Sequence, residues 1–240
     1  MLMKVYSVAL VLSLPVLTAY SAELVADDDV GEVDEITEIT VSARRVANTR
    51  PAGTYASPAT LLRFDPSTQL QSRGLAEGQS DVTVRGGVFE NTGFKIGGVT
   101  VMDPQTGHYV AELPVDPALM SMPTINKGIE SAIDGFNSAI ATVSYGIGKV
   151  RDGGAVELGL GDNGLNSQAI RFGHVADNRF GLAFSAARSE GDGTLPNGDH
   201  EFARYNAQLQ FDSGAVQSDI IISYQDKFYG WPGAYTGFAS

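Results

Sequence analysis

Residues 155–240 alternate between large apolar side chains and polar or small ones over five separate segments. Such period-two alternation is typical of strands whose two faces meet different surroundings. One face carries Val, Leu, Ile, Phe and Tyr, and the other carries mainly Gly, Ala, Ser, Asn, Gln and Arg. The pattern predicts five antiparallel strands, over residues 156–160, 168–174, 180–186, 204–211 and 219–224.

The connections between these segments differ in length. Residues 175–179 and 212–216 have the length of tight turns, whereas residues 189–200 form a longer, polar link. Outer-membrane barrels have short turns at one end and longer loops at the other. A soluble β-sandwich also alternates and stays an alternative, but a face of Gln, Asn and Arg beside Gly favours the water-filled lumen of a barrel.

Composition excludes several kinds of site. The chain of 240 residues has a net charge of −12, so it offers no basic face for the phosphates of a nucleic acid. It has no cysteine, which excludes disulfides, thiol nucleophiles and cysteine metal sites. Hydrophobic residues make up 43% of the chain, which is enough to build a core in one or two domains.

Residues 1–22 have the layout of a secretory signal. A short start with Lys4 precedes an apolar run, and small residues around Ser21 and Ala22 follow it. The apolar run of about 15 residues is shorter than the roughly 20 needed to span a bilayer. An N-terminal membrane anchor is therefore the disfavoured alternative, and we expect export.

Residues 23–45 combine an acidic tail with a short β-prone segment. Dense like charges keep a tail extended, and a plain solvated tail is one interpretation. A strand at the end of such a tail can instead add to the edge of a partner's sheet. The segment consists of Glu38, Ile39, Thr40, Val41, Ser42 and Ala43.

Residues 46–152 predict a mixed α+β unit punctuated by glycines. Strands are expected over residues 82–84, 94–96, 99–101 and 139–145, because β-prone runs there stop at glycines. Asp116 can cap a short helix that begins at Pro117. One or two helical turns are expected in residues 67–75.

Taken in order, these parts resemble the N-terminal third of a TonB-dependent outer-membrane receptor. Residues 38–43 look like a TonB box, and residues 82–86 (VTVRG) look like the "IRG" strand of the plug. Residues 95–99 (KIGGV) look like its "IDGV" segment, with Gly97 in place of Asp. Residues 103–109 with Leu113 and Pro114 are similar to a segment of cobalamin-receptor-like plugs. Residues 125–128 and 135–148 stand where the later plug strands lie, the former without the usual Arg-Gly-Pro.

The resemblance implies an α+β plug domain in residues 46–152. It implies that residues 153–240 are the first antiparallel strands of an incomplete 22-stranded outer-membrane β-barrel. With only five barrel strands visible, we expect a partial product, in which the plug lies beside an open β-sheet. The resemblance further implies a monomer in the cell outer membrane, surrounded by lipid, that neither catalyses a reaction nor holds a cofactor.

The resemblance also implies partners and a ligand site. TonB would pair with residues 38–43 in the periplasm. A metal chelate such as a siderophore or a cobalamin would bind the apical plug loops, for which the candidates are Phe89, Asn91, Gln105, His108 and Tyr109. The alternative for His108 is a packed, hydrogen-bonded residue of the plug.

Other chemistry has less support. Residues 146–151 begin like a dinucleotide loop but lack the third glycine and a following helix. Asp192, Asp199 and Glu201 offer the oxygen ligands that calcium takes, with a solvated external loop as the alternative. Beside the uptake receptor, a shortened envelope β-protein that only binds or occupies the outer membrane stays open, and a periplasmic enzyme is disfavoured.

Overall fold

The computed structural model describes residues 3–13, 55–73, 78–102, 111–134 and 138–231. This part of the chain is mostly antiparallel β-sheet with few helices. The strands are, in chain order, β1 Met3–Ser13, β2 Thr68–Arg73, β3 Gln79–Val84, β4 Thr92–Ile96, β5 Val99–Val101, β6 Thr124–Lys127, β7 Ala141–Tyr145, β8 Gly153–Leu160, β9 Asn166–Ala176, β10 Phe180–Gly191, β11 His200–Asp212 and β12 Gln217–Tyr229. None of the helices in these ranges is long and apolar enough to span a membrane.

The long sheet consists of strands β8 to β12 together with β1. Its order is β1-β12-β11-β10-β9-β8, and every neighbouring pair is antiparallel. The five segments predicted from alternation are thus confirmed as strands, each longer than its apolar pattern. Among the strands that the structure describes, β1 and β8 form the two edges, so this sheet is open.

Residues that tolerate a left-handed backbone set the short connections of the long sheet. Asp177 and Asn178 have φ of 49° and 54° between β9 and β10, and Asn163 and Gly164 have φ of 55° and 66° between β8 and β9. Paired left-handed residues give hairpin turns whose twist matches that of the strands. Asp192 lies at the start of the connection between β10 and β11. Its backbone N–H donates to the carbonyl of Asn163 at 2.8 Å, which ties this connection to the one between β8 and β9.

The segment predicted as the core of a signal peptide is strand β1 in this structure. It pairs with β12 from Met3 opposite Tyr229 to Ser13 opposite Asp219. The physical reason is that β12 would otherwise present a row of unpaired backbone groups, which an extended apolar segment can satisfy. Removal of residues 1–22 on export stays a prediction.

Residues 55–150 form the N-terminal unit, which packs against one face of the long sheet. It contains the hairpin β2-β3 and a sheet of order β5-β4-β7-β6, in which β4 and β7 are parallel. Short 3₁₀ helices occupy Pro58–Phe64, Phe89–Asn91 and Pro117–Leu119, and the α-helix α1 covers Ile129–Asp134. Its core is apolar and includes Leu62, Val82, Phe94, Ile96, Leu113, Val115 and Val143.

Two local predictions for this unit had opposite outcomes. The helical turns expected in residues 67–75 are wrong, because Thr68–Arg73 is strand β2 and pairs along its whole length with β3. Pairing with a buried neighbouring strand outweighs the weak helical preference of a short polar segment. The cap is confirmed: the Asp116 carboxylate accepts a hydrogen bond from the backbone N–H of Ala118 at 2.8 Å.

Candidate functional site: the interface between the N-terminal unit and the long sheet

The long sheet buries its polar face and exposes its apolar face. Buried positions on β10, β11 and β12 are mainly polar or charged: Ser185, Ser189, Arg204, Asn206, Gln208, Gln210, Asp219, Ser223, Gln225 and Lys227. Large apolar side chains are exposed on all five strands: Val156, Leu158, Leu160, Ile170, Phe172, Phe180, Leu182, Phe184, Tyr205, Leu209, Phe211, Ile220, Ile222 and Tyr224. This is the reverse of a soluble sheet, in which the apolar face packs on the core.

The magnitude of this exposure argues against a dry β-sandwich. Burying one Val, Leu, Ile or Phe side chain contributes about 1.5–3 kcal/mol. A whole face of such residues left in water would forgo more than the roughly 5–15 kcal/mol of net stability of a typical domain. In a dry sandwich Leu158 and Leu209 would be buried, yet they are 78% and 55% exposed.

Asp116 is the centre of the contacts between the two parts. Its carboxylate lies 3.3 Å from Nε of Arg171 on β9 and 3.8 Å from Nη2 of Arg204 on β11. Its backbone N–H donates to Oδ1 of Asn206 at 3.1 Å. One buried carboxylate therefore joins two strands that β10 separates.

Electrostatics keeps Asp116 ionised. Burial by itself would raise the pKa of Asp116, but the guanidinium groups of Arg204 and Arg171 and the hydrogen bond from Ala118 lower it below the ordinary value. Asp116 and Arg204 are each only 1% exposed, so their charges act in a medium of low dielectric. The Asp116 carboxylate is therefore an anion that lies between two guanidinium groups.

A second buried ion pair joins Glu112 to Lys227 on β12. Nζ of Lys227 lies 2.5 Å from a Glu112 carboxylate oxygen and donates to the carbonyl of Gly78 at 2.9 Å. The other Glu112 oxygen accepts from the backbone N–H of Ser80 at 3.2 Å. Both side chains are almost fully buried, so each charge depends on the other.

Neutral hydrogen bonds hold the other end of the interface. Gln208 and Gln210 on β11 both donate to the carbonyl of Gly148 at 3.1 Å. Gln210 also accepts from the backbone N–H of Val150 at 3.0 Å. This end of the interface is therefore polar, and the side-chain amides of β11 satisfy backbone groups of the N-terminal unit.

Aromatic rings line the interface near the first described residues of the N-terminal unit. Tyr55 packs on Phe202 with ring centroids 5.3 Å apart and donates a hydrogen bond to Gln225 at 3.2 Å. The guanidinium of Arg204 lies 4.8 Å from the Tyr55 ring centroid and donates to the carbonyl of Ala56 at 2.8 Å. Burial raises the pKa of Tyr55 to about 12, with Arg204 acting in the opposite direction.

Several solved structures match this arrangement. The copper transporter OprC matches with a TM-score of 0.59 and 14% identity, over 75% of this chain and 29% of its own. The ferripyoverdine receptor of the outer membrane of Pseudomonas aeruginosa matches with a TM-score of 0.58 and 18% identity, over 77% of this chain and 26% of its own. The FrpB iron transporter from Neisseria meningitidis matches with a TM-score of 0.53 and 20% identity, over 73% of this chain and 30% of its own.

The fold is that of part of a TonB-dependent outer-membrane receptor. This confirms the resemblance seen in the sequence at the level of fold. The chain spans about a quarter to a third of the length of the matched receptors. No protein-family model and no curated protein sequence matches it.

The structure describes two of the residues expected to face a receptor ligand. Phe89 and Asn91 begin and end a 3₁₀ helix just before β4, and both are half-buried. The carbonyl of Asn91 accepts from the backbone N–H of Ile140 at 3.1 Å, which fixes this turn to the start of β7. Gln105, His108 and Tyr109 lie outside the described residues, as does the whole TonB box (Glu38, Ile39, Thr40, Val41, Ser42 and Ala43).

The calcium alternative receives no support. Within the described ranges, no group of three or more His, Asp or Glu side chains is placed to hold a metal ion, and Asp192, Asp199 and Glu201 are not brought together as such a group. Glu201 instead accepts a hydrogen bond from Arg188 at 3.1 Å, and Glu190 accepts one from the same guanidinium nitrogen at 2.8 Å. Arg188 on β10 thus pairs with one acid on its own strand and with one on the neighbouring strand β11.

Sequence reasoning missed the ion pairs of the interface. It assigned Asp116 only as a helix cap and gave no role to Glu112. A signal was present, because Arg171 and Arg204 stand at positions that alternation assigns to the polar face, opposite the apolar one. A buried guanidinium needs an acidic partner, but nothing in the sequence showed that residues 112–116 would supply it.

Proposed function

We propose that this chain is the plug and the first barrel strands of a TonB-dependent outer-membrane receptor for energised uptake of a metal chelate. The observation that carries the proposal is the long sheet, whose apolar face is exposed while its polar face receives the N-terminal unit. Residues 46–152, which contain that unit, are the proposed plug, and residues 153–240 begin the proposed barrel wall. Strands β8 to β12 are called the wall.

The outer membrane is the environment that suits both faces of the wall. Hydrocarbon can cover the exposed Leu, Ile, Phe and Val side chains, and every wall strand except the edge strand β8 is paired with a neighbour on both sides within the long sheet. The polar face then lines the interior that the plug occupies. Export by a signal in residues 1–22 is the proposed route to this membrane.

The proposed transport cycle uses both ends of the plug. A ligand binds on the outer side near Phe89, Asn91, Gln105, His108 and Tyr109. TonB pairs with residues 38–43 by strand addition and transmits the energy of the inner membrane by pulling. The matched receptors are named for copper, iron and ferripyoverdine, which supports a metal or its chelate, such as a siderophore or a cobalamin, as the cargo.

A pull-down tests the energised step. The exported chain, tagged at its C-terminus and extracted from membranes, is mixed with the periplasmic part of TonB. We expect the unaltered chain to retain TonB, because residues 38–43 are the proposed TonB box. A variant with residues 38–43 scrambled should lose it, while a variant with residues 24–29 scrambled, which keeps the acidic charge, should not.

Two outcomes would contradict the proposal. Binding that survives scrambling of residues 38–43 would remove the TonB box. Recovery of the unaltered chain in the soluble periplasmic fraction, instead of the outer-membrane fraction, would remove the receptor itself.

A further inference from the structure

The segment Ala111–Asp116, here called the strap, is buried along its whole length. Ala111, Leu113 and Val115 belong to the apolar core of the plug. Glu112 and Asp116 instead meet basic side chains of the wall. Apolar and acidic residues thus alternate along the strap: the apolar ones pack in the plug core, and the acids contact the wall.

The two acids match the spacing of their partners. Pairing in the long sheet sets Arg171, Ser185, Asn206 and Ser223 in one row across four strands, and Asp116 meets this row at Arg171 and Asn206. Glu112 meets Lys227, which is four residues beyond Ser223 along β12. Four residues also separate Glu112 from Asp116, so both contacts form together in one position of the strap.

Pro114 explains why side chains must do this work. Proline has no backbone N–H to donate to a sheet, and no strand covers the strap in the structure. Backbone pairing therefore does not set its position against the wall. The charges set the position of the strap. A shift of two residues along β12 would place Glu112 opposite Gln225. The Lys227 ammonium would then be buried without its anion, which is strongly unfavourable.

We propose that the strap is the anchor that fixes the plug to the wall, through recognition of Glu112 by Lys227 and of Asp116 by Arg171 and Arg204. The proposal rests on the proposed function in naming the two parts plug and wall. It adds the residues that hold them together. It predicts that Glu112 and Lys227 act as one unit, and that Asp116, Arg171 and Arg204 act as another.

A double-mutant cycle with a reporter cysteine tests the anchor. The chain has no cysteine, so Ala111→Cys places a single thiol in the buried strap. In detergent micelles, labelling by a hydrophilic maleimide then reports how often the strap leaves the wall. Glu112→Gln and Lys227→Met are added singly and together, and Lys149→Met, which breaks the exposed pair of Lys149 with Asp212, is the control.

We expect each single variant to label about a hundredfold faster than the Ala111→Cys parent, because each leaves one buried charge without its partner. The double variant should label no faster than either single one, since it leaves no unpaired charge. Lys149→Met should label at the parental rate.

Two results overturn the anchor: single variants that label at the parental rate, or a double variant whose acceleration is the product of the two single ones. Folding of the wall is followed separately by heat-shifted migration in gel electrophoresis. Single variants in which the wall no longer folds lose the heat shift. In that case, a heat shift that returns in the double variant supports the Glu112–Lys227 pair, and a double variant without it contradicts the pair. Labelling does not depend on uptake or on TonB, so failure of the anchor leaves the proposed function standing.

Discussion

At the scale of single residues, alternation shows which side chains share a face but not what that face meets. The polar positions Arg204, Asn206 and Gln208 follow from the sequence. Their partners do not, because Asp116 lies in an irregular segment far along the chain from β11. Long-range ion pairs depend on how two units dock, which local pattern does not encode.

Tyr55 provides a prediction about pH. Burial raises its pKa to about 12, whereas the unfolded chain has the ordinary value of about 10. Between these values the folded protein keeps a proton that the unfolded chain loses, so the free energy of unfolding falls as pH rises. In Tyr55→Phe, the decrease in the free energy of unfolding up to pH 12 should be smaller than in the unaltered protein by up to about 2–3 kcal/mol.

Urea unfolding followed by circular dichroism from pH 7 to 12 measures this effect. At pH 7, Tyr55→Phe should cost about 1 kcal/mol, because it loses the hydrogen bond to Gln225. Tyr205→Phe removes a tyrosine hydroxyl from the exposed face and is the control. An unchanged slope between pH 10 and 12 in Tyr55→Phe would contradict the burial of this hydroxyl.

At the scale of elements, the link from plug to wall crosses the long sheet over two glycines. A Cβ on Gly173 would lie 2.3 Å from the carbonyl oxygen of Arg151, and one on Gly181 would lie 2.7 Å from Cβ of Val150. The crossing chain thus lies directly on β9 and β10. Glycine at these two positions provides the room.

Gly173→Ala should therefore destabilise the folded chain by about 1–3 kcal/mol, since a backbone atom must move to admit the methyl group. Gly98→Ala is the matched control, because a Cβ there meets no atom within 4 Å. The midpoint of urea unfolding measures both. Equal midpoints for the two variants would show that the link does not lie against β9.

The elements were predictable where one physical signal dominated. The wall strands follow from alternation, and the 3₁₀ helix Pro117–Leu119 follows from the Asp-Pro start that caps it. β2 was not predictable in this way, because its strand form depends on β3 beside it. α1 was missed because six residues carry too little periodicity to identify a helix.

At the scale of the whole molecule, the account depends on the orientation of the wall. The sequence predicted a polar lumen and an apolar outer face, and the structure has a buried polar face and an exposed apolar one. The ligand site could not be predicted to the same depth, because it depends on loops whose positions local pattern does not fix. Fold similarity supports the receptor fold and carries no information on the cargo of this chain.

Spin labels in lipid vesicles test that orientation most directly. Single cysteines replace Leu182 and Leu209 on the apolar face and Gln208 on the buried face, and each carries a nitroxide. At positions 182 and 209 we predict frequent collisions with oxygen, which concentrates in hydrocarbon, and rare collisions with a water-soluble nickel chelate; position 208 should collide rarely with both. Frequent nickel collisions at positions 182 and 209, or protection there from both reagents as in a dry interior, would contradict a membrane-facing wall.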